Sequence, residues 1–400
     1  MKNLGQQSWK RSTKYLQLYL KADVSFIWIF PVGYKVPAKK IEWHWGCLRV
    51  LGRQKNDDNS PEDAARRKIP SLSSIHGNNT TSVTLAYRDT VIFISFDTRE
   101  GSRAGQDIGN FLDRCISSNC FRFLWVLDLE NVYKPKLPKT VGQLTHLRYL
   151  GLRSTYLEML PMFIDKLLNL QTLDLKRSCI NTFPTTILKM PRLRHLFLDE
   201  SFCSTFFPPQ EHNSLMDLQT FWGVFKHFGC QPWDLHLQSL SGNELSDIYL
   251  VGKLKNQDLI SKFPQSLTEL TLSASGLIAD PMQSLDKLPN LRIVRLFSRS
   301  FSGKKMLCKD GGFPKLEVLK LWELELLEEW NMEKGAMPGL KHLEIRHCIN
   351  LKTLPDALRC IDTLREVKLI KLPMLSSTLK DKQNENLDKI AHVRRICIED

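Results

Sequence analysis

No stretch of this chain stays apolar for the roughly 18 to 20 residues that a bilayer crossing needs. The nearest approach, Val24 to Val36, is short and is broken by Pro31 and Gly33, so no transmembrane helix is expected. Paired cysteines are missing as well. The ten cysteines are scattered with none in a C-x-x-C pair, which reads as reduced, mostly buried thiols rather than a disulfide framework. Behind Lys2, Lys10, Arg11, Lys14 and Lys21 there is neither a clean apolar stretch nor a small-residue cleavage site. A secretory leader is therefore not expected, and the default address is cytoplasmic. Catalytic signatures are equally scarce: the ten histidines form no H-E-x-x-H and no serine sits in a G-x-S-x-G elbow. Gly101, Gly105 and Gly109, around the start of an expected helix at 107–117, fit neither G-x-G-x-x-G nor a phosphate loop ending in Lys-Ser or Lys-Thr. No catalytic residue and no cofactor-binding residue can be named, and the chain is not expected to be an enzyme.

What is present is a large basic globular composition, 42% hydrophobic and 25% charged, with a formal net charge of +13. Residues 1–56 hold eleven Lys or Arg against Asp23 and Glu42. Such a segment attracts nucleic acid, anionic lipid or an acidic protein face, and charge does not choose among them.

The dominant signal is a repeat. L-x-x-L-x-L recurs at Leu124/Leu127/Leu129, Leu147/Leu150/Leu152, Leu170/Leu173/Leu175 and Leu193/Leu196/Leu198. The middle residue acts as a ruler spaced by 23, then continues through Phe221, Ile248, Leu270, Val294, Leu319, Leu343 and Val367 at spacings of 22 to 27. The last two apolar residues of the phrase, two apart, share one face of a short strand, and the first closes the turn before it. A second phrase, Leu137-Pro138, Leu160-Pro161, Phe183-Pro184 and later Leu354-Pro355, is followed by Val141, Ile164 or Ile187. Proline suits the first position of a short return helix, where its missing N–H is not needed. One such unit cannot bury its apolar side alone, so units stack. The expected fold is an α/β leucine-rich-repeat solenoid of about eleven repeats, with a curved, parallel concave sheet. Thr155, Ser178 and Cys348 sit where an inward group bonds neighbouring turns. Cys348 lies near His342 and His347, but the three belong to different faces of a strand and turn, so no zinc site is expected.

Alternation places two rows of side chains on the open strand face. The residue between the last two apolar positions gives Asp128, Gly151, Asp174, Phe197, Trp222, Tyr249, Thr271, Arg295, Lys320, Glu344 and Lys368. The residue just after gives Glu130, Arg153, Lys176, Asp199, Val224, Val251, Ser273, Phe297, Trp322, Arg346 and Ile370. Exposed Trp, Tyr and Arg dominate binding energy at interfaces. The expected partner-binding face is Phe197, Trp222, Tyr249, Arg295, Phe297, Lys320 and Trp322, unless the middle units tuck Trp222 and Tyr249 under a loop.

The string Phe121 to Val132, followed by Leu137-Pro138 and by His146 to Leu152, resembles plant disease-resistance proteins of the coiled-coil, nucleotide-binding, leucine-rich-repeat class. Leu319 to Leu324 running into Leu327-Glu-Glu-Trp330, and Leu343 to Cys348 running into Leu354-Pro355, look like late repeats of that family. Phe30-Pro31, Tyr34 to Pro37, Ile41 to Trp45 and Ser60 to Asp63 look like part of its winged helix. The chain passes directly from Trp45 to Gly46-Cys47, shortening that module by most of a helical turn. The resemblance divides the chain into a partial winged-helix remnant (1–69), an N-terminal cap or irregular first repeat (70–123), the repeats (124–375) and a C-terminal cap (376–400). Intact family members bind ADP or ATP, but their Walker A lysine, paired aspartates and His-Asp motif are absent here, so no cofactor is expected. The resemblance implies innate-immunity recognition of a protein: a pathogen effector, a guarded host protein, or a nucleotide-binding receptor in trans. It also implies that basic residues of the early repeats, Arg148, Arg153, Lys176 and Arg177, could dock an acidic face of such a receptor. Nucleic-acid binding by the basic winged-helix remnant, and service as a substrate receptor of a ubiquitin ligase, stand as alternatives.

Overall fold

The structure is a computed structural model that describes residues 25–29, 90–95, 102–180, 187, 190–198, 217–224, 244–254, 257–375 and 385–399. Nearly all of the winged-helix stretch, the aromatic crowd at Phe206, Phe207, Phe225, Phe228 and Trp233, and the face position Asp199 lie outside the described residues. The chain divides into two compact units, residues 1–155 and 156–400.

In the first unit, strands β1 (Ser25–Ile29), β2 (Thr90–Ser95), β3 (Val126–Asp128) and β4 (Tyr149–Gly151) run parallel in that order, with Phe93, Leu127 and Leu150 in register. Helix α1 (Ser102–Ser117) follows β2 and begins earlier than the expected 107–117, so that Gly105, expected in the preceding loop, joins Gly109 within it. A Cβ on Gly105 would collide with the carbonyl oxygens of Tyr133 and Lys134, and one on Gly109 with that of Lys136. These glycines therefore let the helix lie directly on the backbone of residues 133–136, where Lys136 N–H donates to the Gly105 carbonyl at 3.1 Å. On the opposite side Phe111 stacks on Phe93 with ring centroids 5.5 Å apart, and Phe121 packs beside both. In an open helix Gly→Ala gains about 1 kcal/mol. Here a backbone collision opposes it, and overpacking typically costs about 1–3 kcal/mol. Gly109→Ala is thus expected to lower the denaturant midpoint, and an unchanged or raised midpoint would refute this account of the glycines.

In the second unit, β5 (Thr172–Asp174), β6 (His195–Phe197), β7 (Thr220–Val224), β8 (Asp247–Val251), β9 (Glu269–Ser273), β10 (Ile293–Leu296), β12 (Val318–Trp322), β14 (His342–Arg346), β15 (Glu366–Ile370) and β16 (Arg395–Glu399) form one parallel sheet in that order. Leu173, Leu196, Phe221, Ile248, Leu270, Val294, Leu319, Leu343 and Val367 pair one to the next along it. All eleven ruler residues of the chain are no more than 3% exposed. The period read from the sequence is therefore the physical repeat of a leucine-rich-repeat solenoid. A separate parallel pair, β11 (Lys305–Cys308) with β13 (Glu329–Met332), was not foreseen. It buries Trp330, whose Nε1 points at Cys308 Sγ, 3.5 Å away.

The return segments are mostly 3-10 turns rather than α-helices, at Lys139–Gln143, Met162–Lys166 and Asp356–Cys360. Pro138, Pro161 and Pro355 are extended and sit just before these turns, not inside them. Their carbonyls accept from Val141, Ile164 and Leu358 at 3.1 to 3.3 Å. All three are buried, Val141 and Ile164 being residues that the second phrase marked.

Four residues beyond the ruler, the chain leaves many of the described strands through a left-handed residue, of which Gly252 is the one glycine: Asn131, Ser154, Arg177, Ala274, Glu323, His347 and Lys371 have φ between 52° and 63°, while β10 makes the same exit one residue later, at Arg299. For an L-residue this conformation costs about 1–2 kcal/mol. The solenoid offsets it by a hydrogen bond to the next turn. Ala274, Glu323, His347 and Lys371 donate their N–H to the carbonyls of Ser298, Arg346, Ile370 and Glu399 at 2.6 to 2.9 Å.

Candidate interaction face

The strand face of residues 156–400 brings the expected aromatic positions together. Register sets Phe197 against Trp222 and Trp222 against Tyr249, and the last two stack with centroids 3.8 Å apart and planes 10° from parallel. The Lys176 ammonium lies over both Phe197 (4.1 Å) and Trp222 (3.8 Å). Two residues further along the strands, Phe297 stacks on Trp322 at 4.4 Å. Lys320 and Arg346 lie 5.3 and 4.8 Å from the Trp322 ring. Phe197, Trp222, Tyr249, Arg295, Phe297, Lys320 and Trp322 are all half-buried, so none is tucked away from solvent.

Cations over aromatic faces are held by the ring quadrupole, and here they are also tied to carboxylates. Arg295 Nη1 is 3.1 Å from Glu269 and also donates to Thr271 at 3.4 Å. Glu344 is paired by Lys320 at 2.9 Å and by Arg346. Lys176, assigned from the sequence to the docking set, thus belongs to the aromatic face. Of the other docking residues, Arg148 lies 4.4 Å over Trp125, Arg153 is half-buried with its carbonyl accepting from Asn131, and Arg177 is exposed.

Several positions expected on the open strand face are buried instead: Asp128, Gly151, Asp174, Thr271 and Glu344. Glu344 is paired by the longer Lys320 and Arg346. Asp174 turns inward to accept the Lys176 N–H at 3.1 Å, and Asp128 does the same for Glu130 at 3.0 Å. Gly151 is where a Cβ would strike the Asp128 carboxylate.

A third row escaped the sequence reading, although one more step of the same alternation marks it: His195, Thr220, Asp247 and Glu269 at the strand starts. His195 Nδ1 shares a hydrogen bond with Thr220 Oγ1 at 3.1 Å, and Ser246 donates to Asp247 at 2.6 Å. Burial holds the His195 pKa below its ordinary value, with Asp247 partly opposing.

The remaining polar chemistry is structural. Thr155 and Ser178 hydroxyls donate to carbonyls of their own turns, Leu152 and Leu175, while Cys348 Sγ reaches the previous turn at Leu321 O, 3.5 Å away. Burial pushes the thiols of Cys115, Cys308 and Cys348 up to about 12. Cys179 and Cys360 are exposed. His342 pairs with Glu366 rather than Cys348, and among the described residues no group of three His, Cys, Asp or Glu is placed to hold a metal. Nor, among them, is any helix long and apolar enough to cross a membrane.

Glu328 bridges Lys304 and Lys352, each at 2.7 Å. Hydrogen bonds from those ammonium groups pull its carboxyl down to about 2. A depressed carboxylate contributes stability above its unfolded pKa and loses it as pH falls toward the folded value. In acid titrations between the ordinary carboxylate range and pH 2, the Glu328→Gln chain is expected to lose less stability than the parent. Parallel curves would contradict this.

Strands in register, a 24-residue period and proline-led returns define a leucine-rich-repeat protein. Residues 108–241 match the family model described as a leucine-rich repeat region. Among relatives from Arabidopsis thaliana, the chain is 39% identical over 134 residues to the putative disease resistance protein At1g59780, covering 34% of this chain and 15% of that one. It is 48% identical over 108 residues to the probable disease resistance protein At1g59620 and 44% identical over 108 residues to the disease resistance protein RPP8, covering 27% of this chain and 12% of each. The repeat region is thus similar to that of plant disease-resistance proteins, in agreement with the resemblance seen in the sequence. The chain spans only 12–15% of the length of these relatives. The leucine-rich repeat domain of the type III effector XCV3220 (XopL) aligns over 92% of this chain and 97% of that chain, at 17% identity and a TM-score of 0.36. That likeness is too loose to bear on function.

Proposed function

We propose that this chain is a recognition module of plant innate immunity, acting in the cytoplasm and binding a protein through the strand face of residues 156–400. The observation that carries the reading is the pair of stacked aromatic couples, Trp222–Tyr249 and Phe297–Trp322, half open to solvent and flanked by Lys176, Lys320 and Arg346. Such anchors release much of their remaining apolar area on binding, and their stacking keeps the ordering cost low. The partner is a pathogen effector, a guarded host protein or a nucleotide-binding receptor in trans. Residues 1–69 act as a winged-helix remnant, 70–123 as the N-terminal cap and 376–400 as the C-terminal cap. Co-purification of the full chain with intact disease-resistance receptors and with effector proteins tests the reading. Recovery of one partner by the parent chain, and its loss on substituting the aromatic couples, is expected. Binding that ignores those substitutions would remove the face from consideration.

A further inference from the structure

The sequence of β16, Arg-Ile-Cys-Ile-Glu (395–399), reads as its own charge complement when reversed. Among the described residues β16 is the last strand in the sheet order, pairing only with β15. Arg395 N–H bonds the Arg365 carbonyl and the Glu399 carbonyl accepts from Lys371, so the odd-numbered residues turn their backbone groups toward β15. The N–H and C=O groups of Ile396 and Ile398 therefore point away from β15, along an edge that no other described strand covers. These two residues align with Val367 and Leu369, which are 0% and 1% exposed, yet they are 38% and 41% exposed themselves. An edge of outward backbone groups with exposed apolar side chains is a template for another strand.

We infer that β16 pairs antiparallel with β16 of a second copy of this chain about a two-fold axis at Cys397. In that register Arg395 of each copy faces Glu399 of the other, which gives an opposite-charge cross-strand pair. Ile396 and Ile398 form the hydrogen-bonded pairs and close an apolar patch on the core side. Cys397 meets its counterpart at a non-hydrogen-bonded position, where Cα atoms approach about 4.5 Å and lie within reach of a disulfide. A two-fold interface must be self-complementary, and this pentapeptide is. In the isolated chain Arg395 Nη1 is 3.3 Å from Glu366 and Cys397 Sγ is 3.5 Å from Glu399. The charged groups therefore have partners to exchange rather than vacancies to fill. The contact is small compared with standard interfaces, so association is weak and concentration-dependent.

Sedimentation velocity of the full chain over a concentration series tests the pairing. A monomer–dimer equilibrium is expected, lost in Arg395→Glu, where like charges face each other, and regained in the Arg395→Glu/Glu399→Arg swap. The swap does not restore the Glu366 pair, so recovery isolates the cross-copy contact. Treatment with diamide reads the axis: two Cys397 thiols surrender two protons and two electrons to the diazene, which becomes the hydrazine, and a disulfide-linked dimer forms. That dimer is expected to survive Cys179→Ser/Cys360→Ser and to vanish in Cys397→Ser. A chain that stays monomeric, a dimer indifferent to Arg395→Glu, a swap that fails to recover, or cross-linking unchanged in Cys397→Ser overturns the inference.

Discussion

Trp330→Ala is expected to destabilise the chain by about 3–5 kcal/mol, the range for truncating a fully buried tryptophan. Among the described residues Trp330 is the largest fully buried side chain, at 1% exposure, and its indole joins two returns, pairing with Met306 across β11 and β13 and pointing Nε1 at Cys308. Alanine would leave a void and strand the buried thiol without its neighbour. Trp330→Phe keeps most of the apolar volume and removes only the N–H, so its cost is expected near 1 kcal/mol, the worth of a neutral hydrogen bond. Urea unfolding of both variants separates packing from hydrogen bonding. Equal losses would mean that the indole N–H, rather than the ring volume, holds the returns together.

The other large effect concerns binding. Trp222→Ala and Trp322→Ala are each expected to weaken the partner complex by about 2 kcal/mol or more, roughly a thirtyfold rise in Kd. The free chain should be little destabilised, because both rings already touch water and stack on one neighbour. Arg148→Ala serves as the contrast: Arg148 lies over Trp125 in the other unit, and a loss below about 1 kcal/mol is expected for a rim cation. Calorimetric titration beside thermal melts distinguishes the cases. A Tm that falls with affinity would assign the tryptophans to folding rather than recognition.

The ruler was legible because each turn must present one large apolar group at the same height, and alternation around it leaves no choice of face. Register arithmetic alone set Trp222 beside Tyr249 and Phe297 beside Trp322. It could not show that Asp174 turns inward or that Lys320 and Arg346 hold Glu344, because burial on an open face depends on side-chain contacts, not on period. The left-handed exits were hidden for another reason. Of Ser154, Arg177, Ala274, Glu323, His347 and Lys371, none is glycine or asparagine, so the conformation is imposed by stacking and leaves Asn131 and Gly252 as local traces. Gly105 misled because a glycine that admits a neighbouring backbone looks, in sequence, like one that frees a loop.

The one-to-one pairing of ruler residues also governs how such a chain can change length. Removing or inserting a complete turn re-forms the same junction between the flanking turns. Losing a single residue inside a strand would send every apolar side chain beyond it to the wrong face. Lineages carrying this architecture should therefore differ by whole turns, or by material added in the returns, and unequal crossing-over between repeats becomes a tolerated source of new binding surfaces.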